Sequence, residues 1–495
     1  MPLWPGFIGG SKTTQSQILD CEETINLYVE QLDGASGENT AALFPSPGFS
    51  KWSQVGDTGS RAALSANGRF FMVIGAGFYE FDTNGTPTKR NNALPLAIDG
   101  NPAQIIYNGV LGSQLGVASG GNFYVYDLNA NTLTQVLTGE ATQIAYAAGF
   151  GLAFNIKNGK VRLSNLNDLS TWDPGTFFQR SLFADPYQAM FVDANHLVWM
   201  LGTDTFEARY NSGVGTQPFV PLTGLVGSFG IVAPFAFAQT GLGNFWLARN
   251  PQGVGQLVAS RGGIPQPVSS YAFNTAVSGY LRVAGISDAE ILSYQQEGHT
   301  FITCVFPSAQ AAMPASPTSW ALDAEGQTWA KRGRWTGQGW DLWSPRVHAF
   351  AFNKHLIGDR TTGQVSVMDT SFATEINGTG IVRERTAPML IHEHQRLPID
   401  NLELLMDTGL GVVSGQGSDP TATLRISTDG GRTFGNEQRC GFGRLGEYRR
   451  RVYWNRLGAK ESCVVRVRIS DPVPTRIVNA YLNNYEGSSA AGRAA

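Results

Sequence analysis

The stretch Arg69-Phe70-Phe71-Met72-Val73-Ile74-Gly75-Ala76-Gly77-Phe78-Tyr79-Glu80-Phe81-Asp82 reads as a strand, a glycine turn and a second strand. Apolar side chains alternate along it, which is the period of a half-buried strand, and Asp82 closes the run as a turn former. Its second half returns as Asn122-Phe123-Tyr124-Val125-Tyr126-Asp127, with Phe78 and Phe123 45 residues apart. That spacing is the length of one β-propeller blade, and a blade cannot bury both faces alone. The repeat therefore predicts a ring of blades.

Further hairpin units follow at 149–155 with 161–164, 196–202 with 205–210, 244–248 with 256–259, 299–306 with 319–323, and 349–358 with 364–369. They count to seven blades, or six with one unit split. Only 15% of the 495 residues are charged and 59 are glycine, which suits short strands and tight turns better than helices. Before the repeats, residues 1–55 carry the strand Thr24-Ile25-Asn26-Leu27-Tyr28-Val29-Glu30 and the turn-forcing Phe44-Pro45-Ser46-Pro47-Gly48. This segment reads either as an extended arm or as a strand that closes the ring. The propeller is expected over 56–376. From 377 to 487 the strands lengthen, and Val465-Arg466-Val467-Arg468 places two arginines on one face, expected to be wet. A separate antiparallel β-sandwich-like domain is the reading there. Residues 488–495 are small and polar, and are expected to be a disordered tail. The fold class is all-β.

Net charge is −3, so the chain is no nucleic-acid-binding polycation. Cys21, Cys304, Cys440 and Cys463 are too sparse for a disulfide framework and read as free thiols, although Cys440 and Cys463 could meet across strands. The first residues lack a basic segment and an apolar core, so no signal peptide is expected, and no run reaches the length of a membrane span.

Ser427-Thr428-Asp429-Gly430-Gly431-Arg432-Thr433-Phe434 matches the Asp box, with Ser427, Asp429, Gly431, Thr433 and Phe434 at the motif positions. Sialidases carry several such boxes. One box outside the main repeats reads as a hairpin brace, because Ser and Asp side chains bind turn backbone and Gly permits the left-handed turn. Glu22 and Glu23 point to opposite faces of a strand, so they form no catalytic pair. His392 and His394 share a face but lack a third ligand, and no metal site is expected. The other histidines read as single structural residues. No nucleophile elbow, P-loop or dinucleotide fingerprint occurs. Neither catalytic residues nor a cofactor is expected.

Between 421 and 480 there are twelve basic residues against five acidic ones, an asymmetry that reads either as DNA contact or as electrostatic docking to an acidic partner protein. Arg449, Arg450, Arg451 and Trp454 have the composition of a protein-docking surface, since Arg and large aromatics are enriched at interfaces.

Four stretches carry a resemblance. They are Thr24-Ile25-Asn26-Leu27-Tyr28-Val29-Glu30 with Pro47-Gly48; Leu163-Ser164-Asn165-Leu166-Asn167-Asp168-Leu169-Ser170-Thr171-Trp172-Asp173, continuing to Leu201-Gly202-Thr203-Asp204-Thr205-Phe206-Glu207; Tyr294-Gln295-Gln296-Glu297-Gly298-His299-Thr300-Phe301 with Trp320, Asp323 and Trp329; and Arg451-Val452-Tyr453-Trp454-Asn455-Arg456-Leu457-Gly458. In order and spacing, over residues 20–485, the chain resembles the packaged-DNA stabilisation proteins of short-tailed phages, also called tail hub or nozzle proteins. The resemblance implies a structural virion tail protein, assembled in the bacterial host cytoplasm. It implies a homohexameric ring below the portal and its adaptor. Such a ring extends the DNA channel, retains packaged DNA, anchors tail fibres or spikes, and meets a tail plug or needle. Double-stranded DNA would pass through the lumen without sequence-specific binding. The contrasting reading is a propeller glycan hydrolase or glycan-binding protein, for which several Asp boxes and a central arginine cluster would be expected.

Overall fold

The computed structural model describes residues 3–13, 15–32, 39–91, 94–215, 217–251, 253–391 and 395–482. Within them the chain forms two compact units, and these are not successive stretches of sequence. One comprises Phe49–Ser319 with Trp340–Asp369, the other Met1–Gly48, Trp320–Gly339 and Thr370–Ala495. The expected tail at 488–495 and the pair His392 and His394 lie outside the described residues.

The first unit is a β-propeller. Blade 1 runs Ser60–Ala66, Arg69–Ile74, Gly77–Phe81, Pro87–Lys89, and blade 2 runs Gln104–Tyr107, Gln114–Ser119, Asn122–Asp127, Thr132–Leu137. The two echoing segments are thus both third strands. Their closing aspartates do the same work. Asp82 Oδ1 accepts the amides of Asn84 and Thr86 at 2.9 and 2.8 Å, and Asp127 Oδ1 accepts those of Asn129 and Ala130, both at 2.8 Å. Asn67 and Gly68, both at positive φ, make the tight turn into the second strand of blade 1.

The inner strands of the other blades are Gln143–Ala147 (blade 3), Tyr187–Val192 (blade 4), Phe237–Thr240 (blade 5), Glu290–Gln296 (blade 6) and Pro345–Ala351 (blade 7), and the seven inner strands surround one hollow lined by Ala62, Gln104, Ile144, Met190, Phe237, Ile291 and Val347. Among the described residues the ring therefore has seven blades. The sequence units started mostly at second strands. Innermost strands such as Ser60-Arg61-Ala62-Ala63-Leu64-Ser65-Ala66 carry small residues because they crowd the axis, so their hydrophobic signal is weak.

Between blades the core is aromatic. Phe71, Phe78 and Tyr126 join blades 1 and 2, with Phe78 and Tyr126 ring centres 5.3 Å apart. Trp199, Phe206 and Trp246 join blades 4 and 5. The strand Gly48–Gln54 is the outermost strand of blade 7, beside Gln364–Asp369. An N-terminal strand thus closes the ring, and the bond from Val55 N to Gly363 O (2.8 Å) extends the seam. Trp52 packs there against Phe70, Phe81 and Phe352 at 5.8–6.3 Å between ring centres. Closure removes the open sheet edge that would otherwise template aggregation.

One helix, Tyr271–Val283, follows blade 5. Ser270 caps it by accepting the amide of Phe273 at 3.2 Å, and Phe273, Val277 and Tyr280 are its buried face. The i, i+4, i+7 spacing of those three residues was the available signal.

The second unit is a β-sandwich. One sheet runs Leu27–Gln31, Ala41–Pro45, Ile477–Leu482, Leu397–Met406, Val452–Lys460. The other contains, in order, Thr328–Arg332, Glu23–Ile25, Arg383–Thr386, Ser462–Ile469, Thr421–Ser427 and Gln438–Gly441. Leu27, Leu402, Leu404, Val452 and Trp454 from the first meet Leu424, Val465, Val467 and Ile469 from the second in one core. Cys440 and Cys463 lie on strands separated by Thr421–Ser427, and all four cysteines are free thiols.

Candidate functional site

The hollow on the propeller axis holds about 570 Å³. Inner strands expose backbone edges toward it, and glutamines from neighbouring blades satisfy several of them. Gln104 Oε1 accepts the amide of Ile144 at 2.7 Å, and Gln143 Oε1 accepts that of Met190 at 2.7 Å. Gln239 donates to the carbonyl of Val192. Buried backbone groups demand such partners, so each glutamine also locks two blades together.

Ion pairs complete the lining. Glu290 of blade 6 accepts from Arg346 at 2.8 Å and from Arg360 at 2.6 Å, both carried by blade 7. Burial pushes the Glu290 carboxyl up, but Arg360 and Arg346 outweigh it and hold the group below its usual range. Arg61 donates to Ser119 Oγ (2.7 Å), to the carbonyls of Ala97 and Asn101 (both 3.1 Å) and to Asp99 (3.3 Å). None of these residues was legible locally, because each pairs with a partner in another blade or connecting loop. His348 and His355 are not the isolated histidines the sequence suggested. They face each other across one hairpin, 3.0 Å apart between Nε2 and Nδ1.

In the sandwich, Arg449, Arg450 and Arg451 are exposed ahead of the strand Val452–Lys460. Arg451 makes a double contact with Glu403, at 2.8 and 2.7 Å. Trp454 corrects the sequence reading. It is 4% exposed, belongs to the sandwich core and donates its indole N–H to Gln438 O at 2.9 Å. Strand alternation explains this: Val452 and Trp454 point inward, leaving Tyr453 as the outward aromatic. The docking candidates are therefore the three arginines with Tyr453, without Trp454.

Arg466 and Arg468 do not form an open wet face either. Glu384, 1% exposed, pairs with both, at 3.1 and 2.7 Å. The Arg466 guanidinium lies 3.9 Å from the centre of Phe434, and that of Arg468 lies 4.4 Å from the centre of Trp335. Glu22 and Glu23 diverge, the first to Arg385 and the second to Lys331 at 2.6 Å.

The Asp-box residues form a braced turn. Ser427 Oγ accepts the amide of Gly431 at 2.9 Å and donates to Asp429 at 2.6 Å. Asp429 also accepts the hydroxyl of Thr433 at 2.6 Å and the amides of Arg432 and Thr433. The hydrogen bonds from Ser427 and Thr433 hold its carboxyl far below the usual range. Every acceptor site so used faces the turn itself. The box lies on the second sheet, whereas Arg449–Arg451 precede a strand of the first, so the fold does not combine them. Among the described residues no cluster of three or more His, Cys, Asp or Glu could hold a metal ion, and no helix is long and apolar enough to cross a membrane.

Several solved structures show a distant likeness. The extracellular domain assigned to a one-component system, BT4673 of B. thetaiotaomicron, aligns at 9% identity and a TM-score of 0.41, over 81% of this chain and 48% of that one. This chain thus spans about half the length of that relative. The N-terminal domain of Nup159 aligns at 9% identity and TM-score 0.38, over 70% and 98%. An exo-β-1,3-galactanase from Phanerochaete chrysosporium aligns at 10% identity and TM-score 0.27, over 88% and 99%. No curated protein sequence matches. Family comparison is decisive. Residues 25–373 match the family described as bacteriophage P22 Gp10, beta-propeller, and residues 382–484 match bacteriophage P22 Gp10, beta-sandwich. A propeller and a sandwich are what those two descriptions name, and the chain belongs to the P22 Gp10 family of tail hub, or nozzle, proteins of short-tailed phages.

Proposed function

We propose that this protein is a structural element of the virion tail that works as a ring of identical copies below the portal and its adaptor. The ring extends the DNA channel, retains packaged DNA and anchors tail fibres or spikes. The observation that carries this reading is the match of both units to one tail-protein family.

The geometry supports a division of labour. A hollow of about 570 Å³, lined by glutamine bridges and ion pairs between neighbouring blades, is too small for a duplex whose major groove alone is about 12 Å wide. DNA therefore runs along the axis of the ring, between copies, and not along the propeller axis. A low-charge surface suits that duct, because each neutralised phosphate would add affinity and drag.

Assembly needs contact surface. Val110 and Leu111 on the inner loop of blade 2 are 77% and 89% exposed, and Leu166 of blade 3 is 61% exposed. Asn108 donates to Asn167 O at 3.2 Å and Gln114 accepts the amide of Leu169 at 2.7 Å, so the two loops are held together as one rigid apolar knob. Closed rings are built from heterologous contacts of this kind, and the arginines at 449–451 offer a second face for an acidic neighbour.

Imaging tails from phage lacking and carrying this gene tests the reading. The expected result is a ring of this protein beneath the portal adaptor, with particles that lose their DNA when it is missing. A single copy per tail, or DNA retention without it, would overturn the proposal.

A further inference from the structure

Two hollows of about 510 and 390 Å³ adjoin each other in the sandwich unit, sharing Trp335, Gly337, Val382 and Ser470. Both fall in the size range of small-ligand sites, roughly 300–1,000 Å³. Arg468, stacked on Trp335 and neutralised by Glu384, lines the smaller hollow only. Trp335 reaches the larger one without that arginine.

The rims are polar and, with Arg468 paired to Glu384, two basic residues stand against two acidic ones. Glu437, Arg439 and Asp471 border the smaller hollow, and Arg334, Asn377, Thr379 and Gln416 border the larger. Asn377, Thr379, Gln416, Glu437 and Arg439 are exposed. Asn377 Oδ1 accepts the Thr379 hydroxyl at 2.7 Å, which orients its amide as a donor group.

One aromatic plate among near-neutral hydrogen-bonding groups selects a ligand chemistry. A strand of nucleic acid would need a surplus of cations along its phosphates, which this rim lacks. A lipid or apolar peptide would need walls more hydrophobic than Val382 and one indole. A sugar ring fits both halves of the surface. Its C–H face lies against an electron-rich π face, and its hydroxyls take amide, guanidinium and carboxylate partners. We propose that the sandwich unit binds an oligosaccharide across Trp335.

The full-length protein labelled with 5-fluorotryptophan tests this, with the Trp335 signal assigned by its loss in Trp335→Phe. Chitotetraose, maltotetraose, a depolymerised lipopolysaccharide O-chain, a proline-rich peptide and an oligothymidylate are titrated in turn. At least one of the three glycans is expected to move the Trp335 signal saturably while the buried Trp199, Trp246 and Trp320 signals stay fixed. Asn377→Ala and Arg439→Ala change exposed side chains that leave the fold intact, and each is expected to weaken that binding about tenfold, the loss of one good hydrogen bond. No response to any of the three glycans overturns the proposal. So does a response confined to a proline-rich peptide or an oligothymidylate, or a glycan response that both rim variants leave unchanged.

Discussion

His348 Nε2 lies 3.0 Å from His355 Nδ1 on adjacent strands of blade 7, beside the propeller axis. The two rings share one proton at most comfortably, because burial and then the neighbouring His355 push the His348 pKa down to about 4. His355 is lowered by burial too, partly offset by Asp369. In the unfolded chain a histidine titrates near 6.5, so between about 6.5 and 4 the unfolded state binds more protons. Stability is expected to fall as pH drops through that window, by roughly 3 kcal/mol from His348. Denaturant titrations at neutral and acid pH check this, and His348→Gln should flatten the dependence.

Glu290 links blades 6 and 7 by holding Arg346 and Arg360. Replacing it by Gln leaves two shielded guanidiniums without their counter-charge. A loss of about 3–5 kcal/mol is expected, the cost of breaking a buried pair from one side. Equilibrium unfolding followed by tryptophan fluorescence measures it, and a change below about 1 kcal/mol would contradict the buried-pair account.

Trp52 closes the ring from an N-terminal strand, and Lys354 caps its ring at 5.8 Å. Its half-buried position makes Trp52→Ala cost about 2–3 kcal/mol, less than the roughly 3–5 of a fully buried indole. Loss of the seam should also raise hydrogen exchange in Gln364–Asp369, which pairs with that strand. Exchange mass spectrometry reports it, and uniform exchange across all blades would show that the strand does not hold the seam.

Arg449, Arg450 and Arg451 are exposed, whereas Trp454 is core. Triple replacement of the arginines by Ala is expected to leave the melting temperature within about 2 °C, since the Arg451–Glu403 pair on the surface contributes at most about 1 kcal/mol. Trp454→Ala should cost about 3–5 kcal/mol. If the arginines are a docking face, the triple variant folds but fails to join the tail, as read by incorporation into particles.

The Leu111→Asp, Leu166→Asp double variant should fold normally, because both side chains point into solvent. Its expected defect is in assembly alone, seen as free protein in a gradient where wild type co-sediments with tails. Normal incorporation would remove the blade 2–3 knob from the assembly surface.

Composition, strand period and the 45-residue echo of Gly77–Asp82 in Asn122–Asp127 were enough to establish an all-β ring and a second, longer-stranded domain, because hydrophobic alternation and turn chemistry are local properties. The Asp-box hydrogen bonds were equally local, all within the seven residues from Ser427 to Thr433. Tertiary structure alone decided what depends on distant pairing. Gly48–Gln54 closes blade 7 some three hundred residues away in sequence, Glu290 finds Arg346 and Arg360, and Glu384 absorbs Arg466 and Arg468, which the sequence left facing water. A residue's type and its neighbours in sequence set which face of a strand it occupies, but the partner on that face is supplied by chain brought from elsewhere. That is why Trp454 read as a surface anchor and proved to be core.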